Sequence, residues 1–176
     1  MPGEKHMFLR KASSRGDINA CRELLSQGAS INSADTYGRT PLFMASLYYH
    51  YEACRFLVEL GAIVHTPGKY GNTPLIVSCN EGGSVKQVRL LLERGAVIDH
   101  VNNDGCAAID AAVVAGDNLD LVKYLVSQGA CIERALVNTV YTLYTLYTLY
   151  TLYTLYILSP LFPLSLLSPL SPLCTL

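Results

Sequence analysis

The chain has 176 residues, with 13 Lys+Arg against 14 Asp+Glu and a formal net charge of −1, enough chain to bury one core. Its Lys and Arg are scattered rather than gathered into the basic face that displaces counterions from phosphates, so nucleic acid is not an expected partner. All 27 charged residues lie between Glu4 and Arg134, so the apolar average describes two unlike segments joined end to end.

From the N-terminus, Met1–Arg15 carries charges throughout and lacks the apolar run of about 7–15 residues that marks a secretory leader. The six cysteines (Cys21, Cys54, Cys79, Cys106, Cys131, Cys174) contain no CxxC pair. They read as reduced thiols, which sets the expected location as cytoplasmic or nuclear.

A repeat then runs along the chain. Gly-Ala recurs at Gly28-Ala29, Gly61-Ala62, Gly95-Ala96 and Gly129-Ala130, at spacings of 33, 34 and 34. Tyr37-Gly38, Tyr70-Gly71 and Asp104-Gly105 keep the same phase, and Thr40-Pro41-Leu42 returns as Thr73-Pro74-Leu75. In each unit the glycine suits a turn with φ above zero. The Thr can cap a helix, and the Pro fills its first position, where a missing N–H costs nothing. This predicts first helices over about 41–48, 74–80 and 107–115, and second helices over about 20–27, 53–60, 86–94 and 119–128. The second helices show the spacing of a buried stripe: Cys21, Leu24, Leu25; Cys54, Leu57, Val58; Val88, Leu91, Leu92; Val122, Leu125, Val126. Each ends at the glycine of Gly-Ala.

A turn followed by two helices every 33 or so residues resembles the ankyrin repeat, whose signature is T-P-L-H-x-A. Thr40-Pro41-Leu42-Phe43-Met44-Ala45 and Thr73-Pro74-Leu75-Ile76-Val77-Ser78 follow it, with Phe43 and Ile76 in place of the histidine. Ala107-Ala108-Ile109-Asp110-Ala111-Ala112 is a degraded copy, and the first unit keeps only its helical part. The resemblance implies an all-α solenoid of stacked helix pairs with β-turn fingers over residues 6–135. Its units are 6–34, 35–67, 68–101 and 102–135, between an extension (1–5) and a tail (136–176). It also implies a non-catalytic module that binds another protein through its concave face and fingers. No cofactor and no small-molecule substrate are expected.

The candidate partner-binding residues follow from that implication. Tyr37, Arg39, Lys69, Tyr70, Asn72, Asn103 and Asp104 stand at the finger tips, and Met44 on the first helix of its unit. Tyr37 and Tyr70 hold equivalent places; aligned tyrosines can anchor a partner, or simply pack on adjacent turns. Tyr48 and Tyr51 flank Tyr49, where the resemblance leads one to expect glycine, so Tyr49 is expected to carry mild strain. This cluster reads either as an exposed hot spot or as a local widening of the core.

Catalytic and metal readings find little support. His6, His50, His65 and His100 have no zinc-ligand spacing, and no phosphate-cradling glycine loop precedes a Lys-Ser/Thr pair. Cys21 and Cys54 fall at equivalent places on stacked helices. Packed helices lie about 8–10 Å apart, beyond the limit of about 7 Å for a disulfide, so both are expected as core thiols.

From Tyr141 the chain reads Tyr-Thr-Leu five times and then becomes rich in Ser-Pro-Leu. A three-residue period matches neither helix nor strand and looks like translated tandem-repeat DNA. The alternative is an anchor: Val137–Phe162 is uncharged and exceeds the roughly 20 residues that span a bilayer. Two further readings therefore stand beside the binding module, a membrane-tethered scaffold and a truncated fragment of a longer array. The second is suggested by Leu121, Val122, Leu125 and Val126, which no polar folded segment follows.

Overall fold

Most of the predicted helices have a visible physical beginning in the computed structural model, which describes residues 2–80, 83–116 and 118–131. The tail and its anchor reading lie outside the described residues. In the second unit α3 (Pro41–Leu47) opens with the Thr40 hydroxyl accepting the Phe43 N–H at 3.1 Å, and α4 (Tyr51–Glu59) follows after a tight turn. In the third, α5 (Pro74–Ser78) is capped the same way by Thr73 at 3.3 Å, and α6 (Val85–Glu93) follows. The degraded copy finds another solution. Ala107 has no hydroxyl, and the N–H of Ala107 donates instead to the Asp110 carboxylate at 2.7 Å before α7 (Ala108–Ala115). This keeps one half of a reciprocal cap. Asn118 then caps α8 (Leu119–Ser127) through the Leu121 N–H at 3.0 Å.

The first unit supplies α1 (Pro2–Ser13) and α2 (Ile18–Ser26), the latter capped by Asp17. Helix α1 begins at Pro2, upstream of the boundary drawn at residue 6, so residues 2–5 form its first turn. The odd-numbered helices pack in one row and the even-numbered helices in a second row behind them. Among the described residues the chain is all-helical. Four helix pairs thus form a two-layer stack, each unit meeting only its neighbours.

The core runs along the seam between the rows. Leu57, Leu91 and Leu125 occupy equivalent places and are fully buried, as are Cys21, Cys54 and Val88. The predicted stripe is only partly interior in the first and last units. In the first, Leu24 and Leu25 are half-buried. In the last, Val122 is half-buried and Val126 exposed, while Leu121 and Leu125 take the interior. Serines lie beside two of the buried thiols, Ser13 Oγ 3.5 Å from Cys21 Sγ and Ser46 Oγ 3.6 Å from Cys54 Sγ. Cys21 and Cys54 are free thiols, as their spacing on stacked helices predicts, and Cys79 at the end of α5 is a third buried free thiol. Burial raises their pKa, to about 12 for Cys54 and Cys79.

The fingers are built from the turns between units. In the first, the Asp35 carboxylate accepts the N–H groups of Tyr37 (2.9 Å) and Arg39 (3.0 Å). Asn102 does the same in the third for Asp104 and Cys106. The second finger starts at Gly68, with no side chain to do this, and is closed by backbone bonds alone: Gly68 N–H to Asn72 O and Gly71 N–H to Gly68 O, both 2.9 Å. One backbone bond repeats between adjacent fingers, Lys69 N–H to Tyr37 O at 2.8 Å and Asn103 N–H to Tyr70 O at 3.0 Å. That approach is so close that a Cβ on Gly38 would come within 2.9 Å of the Gly68 Cα.

Candidate binding groove between the first two fingers

Tyr37 and Tyr70 are both largely exposed, at 46% and 58%. They stand on adjacent fingers and flank an open hollow of about 200 Å³, lined also by Arg39, Phe43, Gly68, Lys69 and Asn72. Five sequence candidates (Tyr37, Arg39, Lys69, Tyr70, Asn72) therefore meet at one place, although up to 35 positions separate them in the chain. The rigid pairing of the fingers at Tyr37 and Lys69 sets their spacing, and the Thr40 cap fixes where Phe43 emerges from α3.

The electrostatics of the groove centre on the Tyr37 ring. The Arg39 guanidinium lies 5.0 Å from the ring centroid and the Lys69 ammonium 5.9 Å away, both within cation–π range. The two cations differ. Arg39 is held by Asp35, with Nε and Nη2 each 2.7 Å from Oδ2. Burial raises the Asp35 carboxyl, but the Arg39 side-chain hydrogen bond, the N–H groups of Arg39 and Tyr37 and the Arg39 charge outweigh it and leave its pKa lowered. Lys69 pairs with no carboxylate among the described residues. No carboxylate lines the hollow.

The remaining candidates sit elsewhere or do structural work. Asn72 lines the groove, but its Oδ1 also accepts from Asn102 Nδ2 at 2.8 Å, linking the second and third fingers. Asn103 donates from Nδ2 to Lys69 O at 3.2 Å, and Asp104 is exposed at the third tip. On α3 Met44 is half-buried, and Tyr48 follows it at the helix end, 52% exposed. Tyr51 is the first residue of α4 and packs against the core, so it widens the core rather than the surface. Tyr49 has a φ of 59°, the left-handed conformation expected at that turn.

Phe43 is the lining residue that the candidate set lacked. It is 6% exposed and lines the hollow together with the two tyrosines. Its signal was visible as the departure from the signature histidine. A family model described as Ankyrin repeats (3 copies) matches residues 4–67 and again 63–135.

The chain belongs to the ankyrin-repeat family.

The two matched spans together take in every described residue from Glu4 onward. Ankyrin repeats are in general modules for protein–protein interaction, and such domains are typically non-catalytic. No curated protein matches the chain. Among the described residues no His/Cys/Asp/Glu group of three or more is placed to hold a metal ion, and no helix is long and apolar enough to cross a membrane.

Proposed function

We propose that this ankyrin array is a non-catalytic adaptor that binds a partner protein through the groove between its first two fingers and the adjoining end of α3. The observation that carries the reading is the meeting of two exposed tyrosines and a buried phenylalanine at a rigid inter-finger junction. Large aromatic side chains on a preformed scaffold lose little entropy on binding and dominate interface energetics. Tyr48 extends the surface along α3 toward the next turn. A cytoplasmic or nuclear setting belongs to the same proposal and is supported by the buried free thiols Cys21, Cys54 and Cys79, which persist in reducing compartments.

An affinity capture with the full chain tests this, run beside a variant carrying Tyr37→Ala, Tyr48→Ala and Tyr70→Ala. Both proteins are first shown to be helical and to melt cooperatively. A partner retained by the parent and lost by the folded variant supports the reading. A partner held equally by both shows that binding lies on another surface.

A further inference from the structure

We infer that the segment this groove takes up is acidic, with an aspartate or glutamate next to an aromatic or aliphatic side chain; this rests on the binding reading above. The charge of the groove carries the inference. Two cations, Arg39 and Lys69, stand at its lining and no carboxylate does. Arg39 is already neutralised by Asp35 at 2.7 Å, and Lys69 is an exposed ammonium without a carboxylate partner among the described residues.

The Tyr37 ring excludes the opposite chemistry. Aromatic faces are ready seats for a lysine or arginine of a partner. Here Arg39 and Lys69 already lie 5.0 and 5.9 Å from the ring centroid. A third cation would meet like charge from Lys69, which no carboxylate offsets among the described residues, and would find the ring already attended by Arg39. An anion meets attraction from Lys69, and its approach leaves the cation–π contacts in place.

The apolar half of the specificity comes from the lining. Phe43, 6% exposed, lines the hollow with the two tyrosines and is the most buried of its large apolar side chains. Gly68 opens the wall: a Cβ there would stand 3.1 Å from Tyr37 O and 3.8 Å from the Phe43 ring. The hollow of about 200 Å³ accepts one medium or large apolar side chain, while the neighbouring carboxylate reaches Lys69 at the rim. Neither tyrosine hydroxyl makes a hydrogen bond among the described residues, and Tyr70 lies 58% exposed beside Lys69. Both phenols are free to donate to the same carboxylate.

The test is selection of a random linear dodecapeptide phage library on the immobilised full chain, repeated on Lys69→Glu and on the double variant Tyr37→Ala, Tyr70→Ala. Enriched peptides are then synthesised and their binding measured by fluorescence anisotropy at two salt concentrations. The expected pool is rich in Asp or Glu beside Phe, Tyr, Leu or Ile. Its binding weakens about tenfold in Lys69→Glu, about threefold in Lys69→Gln, and falls with added salt. Lys69 is exposed, so both variants fold, which circular dichroism and the melting profile verify. Peptides that need both tyrosines but show no acidic enrichment, or bind Lys69→Glu as tightly as the parent, overturn the acidic partner and leave the groove reading standing. Peptides that ignore the tyrosines, or a pool no richer than on bare matrix, overturn both. Lys69-dependent sedimentation with phosphatidylserine vesicles, without acidic peptides in the pool, reassigns the groove to a lipid surface.

Discussion

Tyr49 is the one non-glycine residue among those described with positive φ, at 59°. A side chain in the left-handed region costs about 1–2 kcal/mol, a cost glycine does not bear. Tyr49→Gly is therefore expected to stabilise the array by about 0.5–1 kcal/mol, read as a higher midpoint in urea denaturation. Gly38 is the reverse case. Its φ is 73° and a Cβ would meet the Gly68 backbone at 2.9 Å, so Gly38→Ala is expected to lower stability by about 2 kcal/mol. His65 makes a pH-dependent contribution. Its Nδ1 is out of contact with solvent and has no partner among the described residues, and its ring meets that of His100 edge-on at 4.8 Å. Burial, and secondly the charge of His100, lower its pKa from the ordinary value of about 6.5. The unfolded chain then takes up a proton below about pH 6.5 that the folded chain resists. The stability contribution of neutral His65 is present above that pH and lost as the pH falls. Denaturation midpoints at pH 7.5 and 5.5 are expected to differ less in His65→Asn than in the parent. Asparagine is the natural replacement because Asn32, one unit earlier, accepts the Ile63 N–H at 2.9 Å.

At the scale of elements, the same helix start is achieved with two chemistries. Thr40 and Thr73 accept an N–H three residues on, whereas Asp110 reaches back to Ala107. Thr40→Ala is expected to cost about 1 kcal/mol. In Ala107→Thr the Asp110 bond survives and a second is added, so that variant is expected to gain a few tenths of a kcal/mol; thermal melts of the two distinguish the effects. The helix starts were legible because capping is local: the residues that form a cap lie within one turn of each other. The groove was legible only in part. Tyr37, Arg39, Lys69, Tyr70 and Asn72 were visible as finger tips. Which fingers would close on each other was not visible, because that is set by the Lys69 N–H to Tyr37 O bond at 2.8 Å across 32 positions. Phe43 was noticed as a departure from the signature, but whether it would face the core or line a hollow depends on the neighbouring finger.

Across the whole molecule, repetition governs stability. Leu57, Leu91 and Leu125 are fully buried and equivalent, and Leu57→Ala is expected to lose about 2–5 kcal/mol, enough to threaten a short array that derives its stability from unit-to-unit contacts. The thiols report the same packing. Alkylation followed by peptide mass spectrometry is expected to label exposed Cys131 in the native chain. Cys21, Cys54 and Cys79, buried and with raised pKa values, should be labelled only in denaturant. Rapid native labelling of Cys54 would show that the seam between the helix rows opens.

The sequence by itself determined the period, the helix pairs, the turn glycines and the interior thiols of this ankyrin array. Each of these depends on residues close together in the chain or repeated at one spacing, so a linear reading contains the relevant geometry. Tertiary structure alone decided that Tyr51 turns into the core while Tyr37 and Tyr70 stay out. It also decided that Asp35 neutralises Arg39 and leaves Lys69 as the exposed charge, and that Phe43 lines the hollow with the two tyrosines. These outcomes depend on how one unit rests on the next, a distance and angle that no single repeat encodes.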